Sequence, residues 1–346
     1  MDKNKKDYLY QIVSSYGENP ISYHVLEDDK NHFLVKGIEG VIAYAVVGEV
    51  LVISGDIVAS EKQAAELLSE FTTFAKKNNY SLLFSNTTEK FLELYKNFGF
   101  ETIKYGEEAL FKLADYNLKG GKVAKVRAAI NHANKAGIEV SEYKPKEKRD
   151  PELENEILEL SKEWFKIKKG GEIKFSLGGI GLTEPYDRRY FTAKNSEGKL
   201  LSFVVFIPYA GKKGYLAEIT RRLPDAPQGA IEKIIYEAFM VFKSEGAEWG
   251  SLGLIPLVNV REEDIKNKLT TRIFEYIYEN MNYFYGFKNL YHAKKKYSPT
   301  DWEPRYLVYY PKRFTPQLAY ALLKVKKPKI LKNYLLPMLK KGIIIK

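Results

Sequence analysis

Three short β-branched runs appear early in the chain: HFLVKGI (32–38), VIAYAVV (41–47) and VLVISGD (50–56). Turn residues bound each, and Gly48-Glu49 reads as a two-residue hairpin turn, so the runs predict antiparallel strands. The period then changes. Ala64, Leu67, Leu68, Phe71, Phe74 and Ala75 recur at helical spacing, and Ser60 with Gln63 resembles a capping box. A strand (SLLFSN, 81–86), a helix (88–99) and a strand (FETIKYGEEALFKL, 100–113) follow. From Arg188 the order returns. Strands are predicted at 188–198, 199–210 and 213–222, a helix at 229–246, a strand at 247–254, a helix at 271–290 and a strand at 303–311. Two passes of β-β-β-α-β-α-β predict an α+β protein (mixed α/β), each copy a mostly antiparallel mixed sheet flanked by helices. Two helices lie between the copies, and the KPKEKRDPE stretch (144–152) marks the boundary. The expected units are 1–145, 146–310 and a basic amphipathic tail, 311–346.

Composition narrows the chemistry. The 346 residues suit two domains and are 45% hydrophobic, so a sizeable core is available. There is no cysteine, which excludes disulfides, zinc–thiolate sites and cysteine nucleophiles. The four histidines are scattered without ligand spacing, so no metal is expected. No Walker A loop or G-x-S-x-G elbow occurs. No apolar leader opens the chain, and Glu49 and Asp56 interrupt its longest apolar stretch (40–60). These features read as a soluble, cytoplasmic protein. The net charge is +11, and the tail carries ten lysines and arginines without a single acid. Three readings of that tail stand: attraction to an anionic membrane, a grip on RNA phosphates, or a solvated end packed on the domain.

Three stretches carry candidate chemistry. In EITRR (218–222), Glu218, Arg221 and Arg222 close a strand. An i, i+3 pair on a regular strand faces opposite ways, so Glu218 and Arg221 share a pocket only if the strand bulges or ends near Thr220. The helix opening at Gly229 offers free N–H groups to an anion. The segment 284–311 interleaves rings with lysines, as a nucleic-acid surface does, or as a core strand beside a helix end does.

The helix-to-strand turn YKNFGF (95–100) looks like the end of a Gcn5-related N-acyltransferase (GNAT) domain. Several motifs agree on a more specific family. They include SYGENPISYHVLEDDKNHFL (15–34), LKGGKVAKVRAAINHANKAGIEV (118–140), FSLGG (175–179), EITRRLPDAPQGAIE (218–232), SLGLIPL (251–257) and FYGFKNLYHAKKKYSPTDWEPRYLVY (284–309). The chain resembles the catalytic domain of the bacterial aminoacyl-phosphatidylglycerol synthases, the lysyltransferase or multiple peptide resistance factor family, over about residues 15–310.

That resemblance implies two tandem GNAT-like domains with the active site in the second. It also implies transfer of an aminoacyl group, lysyl or alanyl, from aminoacyl-tRNA to a lipid hydroxyl, without a further cofactor, at the inner face of the cell membrane. The partners it implies are aminoacyl-tRNA and anionic phospholipid; the oligomeric state is left open. Residue by residue, the family's D-x-x-R falls on Glu218 to Arg221, with glutamate replacing aspartate. Its lysine-rich segment falls on Lys294 to Tyr297 with Ala293 in place of an aromatic, W-E-P-R-Y falls on Trp302–Tyr306, and G-D-P falls on Gly55 to Ile57 without the proline. Glu218, Arg221 and Lys294 are the implied catalytic residues. Arg222, Gly229, Glu262, Lys288, Lys296, Trp302 and Arg305 are the implied substrate contacts. The competing functions are an acyl-CoA-dependent N-acyltransferase, with coenzyme A at Gly229, and a non-catalytic tRNA- or membrane-binding module.

Overall fold

The computed structural model describes residues 1–167, 178–260 and 287–326. The first half holds α1 (Lys3–Tyr16), a short 3₁₀ helix (Ser22–Leu26), β1 (Asn31–Phe33), β2 (Gly40–Val47), β3 (Val50–Ser54) and β4 (Val58–Ala59). It continues through α2 (Glu61–Lys77), β5 (Ser81–Thr87), α3 (Leu92–Asn97) and β6 (Glu101–Lys112). A connecting stretch carries α4 (Ala124–Lys135), β7 (Glu139–Tyr143) and α5 (Pro151–Ile167). The second half holds β8 (Arg189–Lys194), β9 (Leu200–Tyr209), β10 (Gly214–Arg222), α6 (Ala230–Ser244), β11 (Trp249–Pro256), α7 (Phe287–Lys295) and β12 (Asp301–Tyr310), and α8 (Pro316–Lys326) follows.

The strands form one sheet in the order β1-β2-β3-β5-β12-β6-β11-β10-β9-β8-β7, with β4 paired to β2 off this path. The two halves are therefore interleaved. β12 comes from the second half yet lies between β5 and β6 of the first, antiparallel to both. β6, in turn, pairs with β11 of the second half. The sheet runs unbroken across the boundary expected near residue 145, with β12 inserted between two strands of the first half and β6 laid beside β11 of the second.

Helices cover both faces. Ala64, Leu67, Leu68 and Phe71 of α2 pack with Leu51, Ile53 and Phe84, as their spacing predicts. Ile234, Ala238 and Phe242 of α6 join Val126 and Ala133 of α4 over Phe191, Val204 and Phe206. The helix α1 was not anticipated from sequence. Asp2 caps it, accepting from the Lys5 amide at 3.0 Å, and Leu9, Ile12 and Val13 bury one face. The edge strand β7 was also unforeseen; its exposed-intermediate alternation gives little apolar signal.

The described part of the tail is a core helix. Pro316 stands at the first helical position, and Thr315 Oγ1 accepts from the Leu318 amide at 3.3 Å. Leu318, Ala321 and Leu322 pack on Val50, Val52, Leu83 and Leu307. The Lys326 ammonium is buried against the Tyr105 hydroxyl. Residues 316–326 thus favour the packed reading of the tail over the membrane and RNA readings; 327–346 lie outside the described residues.

Candidate active site

The site begins where two parallel strands part. β10 and β11 pair only from Gly214↔Trp249 to Leu216↔Ser251, although both run on. The corresponding pair in the first half, β3 and β5, stays paired along all of β3, from Val50↔Ser81 to Ser54↔Ser85. The notch therefore belongs to the second half. Irregularities on both walls open it. β10 shifts register against β9 between Ala217 and Ile219, and β11 shifts against β6 between Ser251 and Leu254. Gly253 sits in the second irregularity at φ +82°, a conformation that favours glycine.

The β10 bulge decides where Glu218 and Arg221 point. Leu216, Ile219 and Arg221 lie opposite Ile207, Val205 and Phe203, which alternate along β9 and so share one face. Glu218 is the extra residue, and its carboxylate meets the 3₁₀ helix of the first half. His24 Nε2 lies 2.9 Å from Glu218 Oε1, and the Gly178 amide donates to the same oxygen at 2.6 Å. The bulge that a shared pocket requires is present, at Ala217–Ile219 rather than at Thr220. Burial alone would raise the Glu218 pKa, but the His24 imidazole, the Gly178 amide and the nearby Arg188 guanidinium more than offset it and hold the carboxyl below its ordinary value. Arg188 is itself fixed, donating to Glu27 Oε1 at 2.6 Å and standing over the Tyr23 ring at 4.9 Å.

Lys294 reaches the notch from α7. Its Nζ donates to the Gly253 carbonyl at 2.8 Å and the Leu254 carbonyl at 3.1 Å, the acceptors freed by the β11 irregularity. Burial lowers its pKa to about 8, with Glu108 and Glu218 pulling the other way. Behind it runs a buried polar chain. The Gly253 amide donates to Ser251 Oγ, which donates to Glu108 Oε1, and Glu108 Oε2 accepts from Arg305 Nε at 2.9 Å.

The other expected site residues separate into groups. Arg221 is buried on the same sheet face as Glu218, its guanidinium 4.0 Å from the Trp164 ring centre and 4.9 Å from that of Phe165. Arg222 is exposed at the strand end. Arg305, expected to touch substrate, is 0% exposed and ion-paired with Glu108 and Glu303. That placement makes it a tie between β12 and β6. Gly229 was expected to leave room for an anion. It caps α6 at φ +100°, and a Cβ there would stand 1.9 Å from the Ala129 carbonyl oxygen of α4. Helix–helix approach accounts for this glycine, because the backbone of α4 occupies the space a side chain would need. Lys296 is paired with Glu232 of α6, and Trp302 packs against Tyr291 at 5.2 Å. Glu262 and the Lys288 side chain lie outside the described residues.

Sequence reasoning passed over His24, Glu108 and Arg188. Their partners across the site lie 143 to 197 positions away, a separation that no local motif records. Among the described residues no cluster of three or more His, Asp or Glu is placed to hold a metal, and no helix is long and apolar enough to cross a membrane.

The family described as phosphatidylglycerol lysyltransferase, C-terminal, matches residues 10–309. A phosphatidylglycerol lysyltransferase of Staphylococcus haemolyticus is 29% identical over 316 residues, covering 91% of this chain and 36% of that protein. One from Staphylococcus epidermidis is 28% identical over 86% of this chain and 35% of its own length. The chain thus spans just over a third of these relatives. The structure of L-PGS from Bacillus licheniformis superposes with a TM-score of 0.79 at 28% identity, covering 92% of this chain and 94% of that one. The C-terminal domain of a putative lysylphosphatidylglycerol synthetase from Agrobacterium fabrum shares the fold, with a TM-score of 0.78 at 23% identity over 95% and 96% of the two chains. The match across residues 10–309 and the shared architecture place this chain in the phosphatidylglycerol lysyltransferase C-terminal family.

Proposed function

We propose that this chain moves an aminoacyl group, lysyl or alanyl, from aminoacyl-tRNA to the glycerol hydroxyl of phosphatidylglycerol, by direct attack at the β10–β11 notch. The observation that carries the reading is the placement, at one strand opening, of the buried Glu218 carboxylate, held by His24 and the Gly178 amide, and of Lys294, anchored to the Gly253 and Leu254 carbonyls, whose pKa burial lowers to about 8. Family membership supports the lipid acceptor.

An aminoacyl ester is already activated, so no covalent enzyme intermediate is needed. Glu218 is held ionised, which suits it to bind the α-ammonium of the aminoacyl group better than to take a proton. Neutral Lys294 spends its two N–H groups on the Gly253 and Leu254 carbonyls, and its lone pair is left for a proton. The lipid oxygen attacks the ester carbonyl carbon while Lys294 accepts the hydroxyl proton. The carbon–ribose oxygen bond breaks, and the proton passes from Lys294 to that oxygen. One ester is exchanged for another. Arg221 supplies a fixed cation on the same sheet face for the lipid phosphate. Positioning of the two substrates contributes much of the rate.

Purified protein given labelled Lys-tRNA or Ala-tRNA with phosphatidylglycerol vesicles is expected to transfer label to lipid. Arg221→Ala and Lys294→Ala are each expected to reduce transfer at least a hundredfold. Full transfer by either variant removes the assigned role. A protein that instead consumes acyl-CoA without tRNA supports the N-acyltransferase reading.

A further inference from the structure

The surface behind α7 carries charge that the notch does not use. A cleft of about 770 Å³ lies between the start of α4 and α7, lined by Lys122, Lys125, His292, Lys295, Lys296 and Trp302. Lys122, Lys125 and Lys295 are exposed, and none of them has a carboxylate partner among the described residues. Lys296 differs: its ion pair with Glu232 fixes the far wall to α6. The near wall is fixed too, because Arg127 donates to the Leu118 and Gly120 carbonyls and holds the loop that presents Lys122.

Three uncompensated cations on rigid supports define a polyanion site. Two features select among polyanions. Among the described residues the lining holds no Leu, Ile, Val or Met, and Pro299 is its one aliphatic surface, too short for a lipid tail to lie along. Its one large ring is Trp302, half-buried beside Tyr291, and an aromatic among lysines suits a nucleotide chain. The position adds a third feature. α7 stands between the cleft and the notch, with Lys294 facing inward and His292 and Lys295 outward. An RNA backbone in the cleft therefore runs one helix width from the reacting lysine.

The geometry points to this α4–α7 cleft as the seat of the donor RNA's phosphate backbone near its single-stranded 3′ end. This inference rests on the RNA-donor reading above and adds the place where the RNA is held. It also absorbs the aromatic–lysine interleaving of 284–311 and the basic α4, which the notch leaves without a role.

The test uses the full chain and a fluorescent, non-aminoacylated RNA hairpin ending in single-stranded ACCA. Binding is measured by anisotropy across a salt series for wild type, Lys122→Glu/Lys125→Glu/Lys295→Glu, and the corresponding triple arginine variant. All three positions are exposed, and matching thermal midpoints establish that the variants fold alike. The triple glutamate variant is expected to bind at least tenfold more weakly, with the slope of log affinity against log salt shallower by about 2. The arginine variant is expected to bind as wild type does. Binding to vesicles of phosphatidylglycerol and phosphatidylcholine is expected to be unchanged. Unchanged RNA affinity and slope overturn the assignment. So does loss of vesicle binding with RNA binding intact, which makes the cleft a lipid-headgroup site. The two readings fail separately. A wild-type protein that transfers nothing yet binds RNA through these lysines loses the transfer reading and keeps the cleft. A transfer-competent protein whose glutamate variant binds RNA normally loses the cleft and keeps the reaction.

Discussion

At the residue scale, the chemistry turns on how burial treats two charges. Glu218 is buried and Lys294 half-buried, and their fates differ. Glu218 collects an imidazole and an amide and stays ionised. Lys294 donates to two carbonyls, and burial lowers its pKa to about 8 although the charges of Glu108 and Glu218 pull the other way. If neutral Lys294 is the base, its active fraction grows as pH rises toward 8 and saturates above it. Transfer is therefore expected to rise by about tenfold per unit between pH 6 and 7 and to level off above about pH 9. Lys294→Arg, which stays protonated throughout, is expected to lose that rise and keep about 1% of the rate or less. A wild-type profile falling through pH 8 would instead assign Lys294 to oxyanion stabilisation as a cation. Both residues were named by position in a motif, whereas their protonation depends on His24, Gly178 and Glu108, contacts that the sequence does not display.

Elements decide where those residues can stand. The two bulges break the alternation of β10 and β11, and the notch exists only where the alternation breaks. The helices were legible because a 3.6-residue apolar period survives without tertiary information: α2 and α6 match their predicted extents closely. The glycine at the head of α6 was legible as a special position but not as to its cause. Gly229→Ala must place a Cβ 1.9 Å from the Ala129 carbonyl at a φ of +100°. Strain and overpacking together are expected to cost about 3–5 kcal/mol, measured by urea unfolding. Were Gly229 kept open for a phosphate, the same substitution would leave stability near wild type and weaken ligand binding alone. A stability loss under 1 kcal/mol would sink the packing explanation.

For the whole molecule, the interleaved sheet matters most. β12 completes the first half, and β6 completes the second. Leu307 and Val308 of β12 serve the first-half cores, and the Arg305–Glu108 pair ties the shared strands in the interior. A buried pair of this kind is costly to break from one side, about 3–5 kcal/mol. Residues 1–145 expressed alone lack β12, which leaves the facing edges of β5 and β6 unpaired. The fragment is expected to show no cooperative thermal transition by circular dichroism. Appending 301–326 through a glycine–serine linker is expected to restore one. A fragment 1–145 that melts cooperatively without the appended segment would show that the exchanged strand is dispensable.

The amino-acid sequence by itself determined what is written in local period and composition: most of the strand–helix order, the lack of any thiol, and the motifs of its family. Those features depend on neighbours a few residues apart. Tertiary structure decided the exchange of β6 and β12, the pairing of His24 with Glu218, the burial of Arg305, and the packing of 316–326 as a core helix. Each depends on groups far apart in the chain competing for the same low-dielectric interior. A charge there is kept, neutralised or paired according to what the fold brings beside it.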